Sequence, residues 1–196
     1  MIKLLNEEFY FHGTRAERFN NFDIGKLGTG EGAHAANGIY FATSLKGARN
    51  HAKYRACQLG NPLVYVCKMK PHAKILTLDS SIKEQSPCAQ DLWSNLPVWL
   101  STKEGKDWFF EIGSTPESLV NHRLPMIDER QRCTMLKNFG VDVLRDFESG
   151  AFCDSYLHGR SHLVLNADVI EIVDVIDVNS IQGDLYDSVQ LSPYMK

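Results

Sequence analysis

The chain has 196 residues, 43% of them hydrophobic and 23% charged, which is enough apolar material to bury a core and excludes disorder by composition. A formal net charge of −3 and a pI of about 6.2 argue against a strongly basic nucleic-acid-binding domain and leave room only for a local basic patch. Five cysteines, at 57, 67, 88, 133 and 153, include no C-x-x-C pair and are odd in number, so neither a zinc site nor a disulfide framework is expected.

The segment Met1–Glu8 lacks the apolar run of a signal peptide, and no stretch approaches the roughly 20 apolar residues of a membrane span. A soluble protein working in a reducing compartment is the expectation. No repeat or low-complexity linker divides the chain, so residues 1–196 are expected to form one domain.

In chain order, Phe9 to His12 reads as a short aromatic strand ending in a His-Gly-Thr turn. Residues 13–38, with glycines at 25, 28, 30 and 32, read as a long irregular loop, a length that is commonly functional. Gly38 to Ala42 is a second strand. Thr43 or Ser44 can cap a helix over 44–59, where Leu45, Ala48, Ala52, Ala56 and Leu59 recur near helical spacing; Gly60 and Pro62 end it. Leu63 to Met69 is a strong β run, followed by Lys74 to Leu78. Short helices are expected in 80–125, around the tryptophans at 93, 99 and 108. Ile127 to Asn138 reads as a helix closed by Gly140. Strands are expected at Val141 to Leu144, His162 to Leu165 and Val169 to Val178, before a polar tail from 179. This order lacks the βαβ alternation of a doubly wound sheet and predicts an α+β fold built on a split antiparallel sheet with flanking helices.

The glycine cluster Gly28-Thr29-Gly30-Glu31-Gly32 fits neither G-x-G-x-x-G nor the P-loop pattern, and the motifs of zinc proteases, serine hydrolases and EF-hands are missing. What remains is His12-Gly13-Thr14 at the end of the first strand and Gly38-Ile39-Tyr40-Phe41 in the second, joined by the glycine-rich loop. With the stretch from Phe19 through Gly32-Ala33-His34-Ala35 to Phe41, this arrangement resembles the ADP-ribosyltransferase superfamily. The likeness is to its His-Tyr branch, and within that to the domain of phage polyvalent proteins and bacterial effectors. Gly140 to Asp146 and Arg160 to Asn166, followed by Val169-Ile170-Glu171-Ile172, resemble that family's later strands. The resemblance is weak over about 80–125, which reads as a family-specific, substrate-facing helical insertion.

The resemblance implies NAD⁺ as substrate, no metal, and transfer of one ADP-ribose to a macromolecular acceptor, protein rather than nucleic acid. It further implies inactivation of that target, in the cytoplasm or after delivery into the cytoplasm of a host cell, by a protein expected to be monomeric. The cofactor contacts it implies are His12, Gly13, Thr14, Gly38, Tyr40 and Phe41. His12 would bond a ribose hydroxyl, the Gly13 backbone would hold the carboxamide, and the Tyr40 ring would stack on the nicotinamide. The catalytic set is His12, Tyr40, Asp146 and Ser161. Many relatives carry a glutamate where Ser161, or His162 with a one-residue slip, stands here, so the missing carboxylate is assigned to Asp146, with Glu148 next.

Plainer readings stand beside these. A histidine ending a strand is commonly structural, and a tyrosine in an apolar strand is commonly core. Glu31 and His34 are loop residues that can be merely solvated. Arg49, Lys53 and Arg55 read as a solvated helix face from which one cation can reach a pyrophosphate. Other functions on the same fold are an NAD⁺ glycohydrolase, an RNA 2′-phosphotransferase, or a degenerate module that binds NAD⁺ without turning it over.

Overall fold

A computed structural model describes residues 8–27, 38–54, 59–78, 80–85, 89, 98, 102–103, 105–112, 129–147 and 160–180. Seven strands form one sheet: β1 (Tyr10–Thr14), β2 (Ile39–Ala42), β3 (Leu63–Met69), β4 (Ile75–Thr77), β5 (Val143–Arg145), β6 (Ser161–Val164) and β7 (Ile170–Asp177). Their order across the sheet is β4-β5-β6-β2-β1-β3-β7. Among the described residues three α-helices accompany them: α1 (Leu45–Tyr54), α2 (Gly105–Glu111) and α3 (Glu129–Asn138).

The α+β class agrees with the sequence expectation, and every described ladder but one is antiparallel. The exception is β4 with β5, which run parallel from Ile75 beside Val143 to Thr77 beside Arg145. A parallel neighbour needs a crossover, and the chain between these strands, which contains α2 and α3, supplies it.

The ladder is weakest at its middle. β1 follows β3 from Tyr10 through Thr14, and β2 follows β6 along its whole length. Yet β1 and β2 meet in register only at Phe11 and Ala42. Continuing that register would set Gly13 opposite Tyr40, but the strands have parted there. The sheet is thus one body that opens along a seam between β1 and β2.

Alternation sorts the side chains onto two faces. One face carries Tyr10, His12, Phe41, Tyr65 and Val164, and the segment after β1 covers it. Its described part, 15–27, has the irregular backbone expected from sequence but is held to the sheet by specific contacts. Thr14 Oγ1 accepts from Ala16 N–H at 3.1 Å, Arg15 Nε donates to Gly60 O at 3.1 Å, and Phe19 N–H donates to Tyr65 Oη at 2.8 Å. Phe19 also stacks on Tyr65 at 4.1 Å. Residues 15–27 therefore lie as a strap on the sheet, ending in a 3-10 turn at Ile24–Lys26 capped by Asp23.

The opposite face receives the helices. Ser44 is the cap of α1, its Oγ accepting from Gly47 N–H at 3.3 Å. The helix buries only small residues and Leu45, which lets it lie directly on β1: a Cβ on Gly13 would sit 1.9 Å from Ala48 O. It is shorter than expected. Residues 55–58 lie outside the described set, and Leu59 is non-helical and fully exposed rather than part of an apolar stripe.

On the other side of the seam, Trp108 and Phe109 from α2, Ile112 just after it and Leu136 from α3 pack with Leu76, Leu144 and Leu163. Of the described residues in 80–125, Trp108, Phe109 and Ile112 are thus part of the core, while Val98 is exposed. Gln85 completes this edge: its amide accepts from Thr77 N–H at 2.7 Å and donates to Thr77 O at 2.9 Å, standing in for a further strand beside β4. Gly140 ends α3 at φ 94° in a Schellman turn, with Val141 N–H on Leu136 O and Gly140 N–H on Lys137 O.

Candidate functional site

The seam is where the expected cofactor residues gather. His12 sits on β1 at its widening end, and its Nδ1 lies 2.8 Å from the carbonyl oxygen of Tyr40. A carbonyl can only accept, so Nδ1 carries the proton and a neutral imidazole presents Nε2 as an acceptor. Burial pulls the imidazole pKa down to about 4; the Tyr40 bond opposes that shift and the nearby charge of His51 adds to it. At neutral pH, His12 is therefore an uncharged ring with its tautomer set by the backbone across the gap. Its faces meet Phe22 at 5.2 Å and Phe41 at 5.6 Å.

Tyr40 does not share that face. It pairs with Leu163, and its ring packs among the side chains on the helical side, 5.9 Å from Phe147. His12 reaches Tyr40 through the main chain and not through the ring. The expected clamp of imidazole and phenol on one ligand thus has its two parts on opposite sides of the opening.

The other residues expected at the cofactor divide between packing and turns. Gly13 and Gly38 are both required by close approach. A Cβ on Gly38 would fall 2.7 Å from the Leu163 side chain, as the one on Gly13 would meet α1. Thr14 holds its own turn. Phe41 is fully buried, with its ring packed beside those of His12 and Phe22. Glu31, His34, Arg55 and Glu148 lie outside the described residues. On α1, Lys53 is exposed with its ammonium 5.4 Å over the Tyr54 ring, while Arg49 Nε is buried without a hydrogen-bond partner among the described residues.

Asp146, expected to be the acid, follows β5 in the left-handed region at φ 54°. Its side chain is 8% exposed and meets Arg160 Nη1 at 3.3 Å. Its N–H donates to His162 Nδ1 at 3.0 Å. Arg160 O in turn accepts from Thr43 N–H at 3.1 Å, so Asp146 ties the end of β5 to the turn between β2 and α1. Ser161 lies on the helical face opposite Ala42, two residues along from the position facing Tyr40. Its Oγ is buried and bonds to nothing among the described residues. His162, the one-residue-slip alternative, lies on the His12 face beside Tyr10.

Two participants escaped sequence reasoning. His51 lies near enough on α1 to bias His12, and Phe22 closes over it from the strap. The i to i+3 step from Ala48 to His51 on a helix packed against Gly13 was the available signal for the first. The second needed the strap's direction.

Among the described residues no group of three His, Cys, Asp or Glu side chains is placed to hold a metal ion, and no helix is long and apolar enough to cross a membrane. Comparison with protein-family models, curated proteins and solved structures finds no match for the chain.

Proposed function

We propose that the protein is a mono-ADP-ribosyltransferase that cleaves NAD⁺ at its nicotinamide glycosidic bond and transfers ADP-ribose to a macromolecular acceptor, a protein in preference to a nucleic acid. The observation that carries the reading is His12 at the seam. An uncharged imidazole, its Nδ1–H held by Tyr40 O, offers Nε2 to a ribose hydroxyl beside the backbone of Gly13. The sequence likeness of the two seam strands and their connecting loop supports the same assignment, including an ADP-ribosyltransferase-like core for the α+β sheet.

The reaction needs positioning more than acid help. The C1′–N bond breaks with its electron pair leaving on nicotinamide, which departs neutral from a pyridinium. The acceptor's nucleophilic atom then bonds C1′, and its proton passes to a base. A neutral His12 holds the ribose without placing a positive charge beside the oxocarbenium-like centre. Asp146 is the carboxylate proposed to stabilise that centre and take the proton, once its Arg160 pair opens. Each transfer adds a bulky group with about two negative charges to the target, enough to disrupt an interface by repulsion and desolvation. The cytoplasm, of the producing cell or of a host cell, is the proposed place of action.

A second reading is an NAD⁺-binding module without turnover. It is favoured by the Asp146 carboxylate lying on Arg160 and by a serine at 161. Nicotinamide release measured by chromatography, alongside NAD⁺ binding by calorimetry, separates the two. Release above the blank supports the transferase, and binding with no release supports the module.

A further inference from the structure

A second convergence of polar groups lies on the His12 face, where Arg145 of β5 and His162 of β6 meet Tyr10 at the start of β1. Tyr10 Oη donates to Glu8 Oε2 at 2.7 Å. Arg145 Nη2 donates to the same carboxylate oxygen at 3.3 Å and to Tyr10 Oη at 3.3 Å. Against them stands His162, 2% exposed, its ring meeting that of Tyr10 edge-on at 5.2 Å. Since His162 Nδ1 accepts from Asp146 N–H, its proton is on Nε2, and that buried N–H has no hydrogen-bond partner among the described residues. An unmade hydrogen bond on a buried donor is costly, and such a group calls for an explanation.

The surrounding field is positive. Burial first, then Arg145 and Arg160, hold His162 neutral, with its pKa down to about 3. Burial and the hydrogen bond to Glu8 raise the Tyr10 phenol above its ordinary range, so it remains a donor. Glu8 is the weak member. Its side chain is 55% exposed, and an ion pair of that exposure adds little stability. A carboxylate held by a buried phenol and a guanidinium, beside an unused N–H, is a replaceable occupant.

We propose that Arg145, Tyr10 and His162 form a binding site for a phosphate group, which Glu8 fills in its absence. A carboxylate has oxygens enough for the guanidinium and the phenol. The additional oxygens of a phosphate suit a third donor, the His162 Nε2–H. The site does not depend on the ADP-ribosyl reading, because neither His12 nor Asp146 is among its side chains.

The test is a titration of the full chain with inorganic phosphate at pH 7, followed by the His162 side-chain nitrogen resonances. Acetate serves as the carboxylate control. Saturable movement of the Nε2 signal is expected, with Glu8→Gln binding phosphate about tenfold more tightly than wild type because the internal competitor is gone. Arg145→Gln abolishes the response. Tyr10→Phe keeps the ring against His162 and weakens binding about tenfold, so it decides the matter if Arg145→Gln does not fold. The proposal is overturned if Glu8→Gln binds no more tightly, or if Nε2 stays still because the Tyr10 ring already satisfies it. Acetate binding as well as phosphate would overturn the phosphate assignment.

Discussion

His12 Nδ1 and the carbonyl of Tyr40 are 2.8 Å apart across the one stretch where β1 and β2 have stopped pairing. A side chain thus does what the backbone ladder no longer does, joining the two halves of the sheet. One contact sets the tautomer of the ring and the width of the opening. Replacing His12 with Gln, which can still donate to the carbonyl, is expected to keep the melting temperature closer to wild type than His12→Ala does. Equal melting temperatures for the two variants would show that the bond carries no structural role.

Gly13 is fixed by helix packing. Gly13→Ala would drive a methyl group into Ala48 O, and overpacking of this kind costs about 1–3 kcal/mol or more. A fall in the urea midpoint is expected, with loss of any NAD⁺ binding as α1 lifts from β1. An unchanged midpoint would contradict the close approach.

Asp146 combines a left-handed backbone with a buried carboxylate, and substitutions can separate the two. Asp146→Ala retains φ 54° at a cost of about 1–2 kcal/mol for an L-residue with no local polar compensation. Asp146→Gly relieves that strain and loses a pair whose other member, Arg160, is 61% exposed, so its stability stays within about 1 kcal/mol of wild type. Both variants lack the carboxylate, so both lose nicotinamide release if Asp146 is the working acid. Full release from Asp146→Gly would make it a structural residue only.

Acid should loosen the fold through two histidines. His12 and His162 have pKa values near 4 and 3, against an unfolded value of 6.5. Between these limits the unfolded chain binds more protons, so their contribution is complete above about pH 6.5 and is lost as pH falls toward 4 and then 3. Denaturant midpoints are expected to fall from pH 7 to pH 4.5, with a shallower slope in His162→Gln. An identical slope in that variant would show that His162 is not held neutral by its surroundings, which include Arg145 and Arg160.

Much of this fold is legible in residue patterns because the strands are short, apolar and bounded by glycines. Leu63–Met69 stands as expected, and the remaining strands are shifted by a residue or two. The parallel β4–β5 pair was not legible, since a three-residue strand carries no mark of its neighbour's direction. The strap was missed because Phe19 and Phe22 sit among glycines and polar residues, and only tertiary contact with Tyr65 and His12 orders them. At the site, residue types and spacing located the seam but not the faces. The two-residue period of a strand places Tyr40 across from Leu163, and knowing which side that is requires the register with β6.

The most direct measurement is release of nicotinamide and transfer of label from NAD⁺ labelled in its adenylate, with a cell lysate as acceptor, for wild type, His12→Ala and Asp146→Gly. The account predicts release and a labelled macromolecular band from wild type, with both reduced about 100-fold or more in His12→Ala. Release from wild type no faster than from buffer, or from His12→Ala as fast as from wild type, would contradict it.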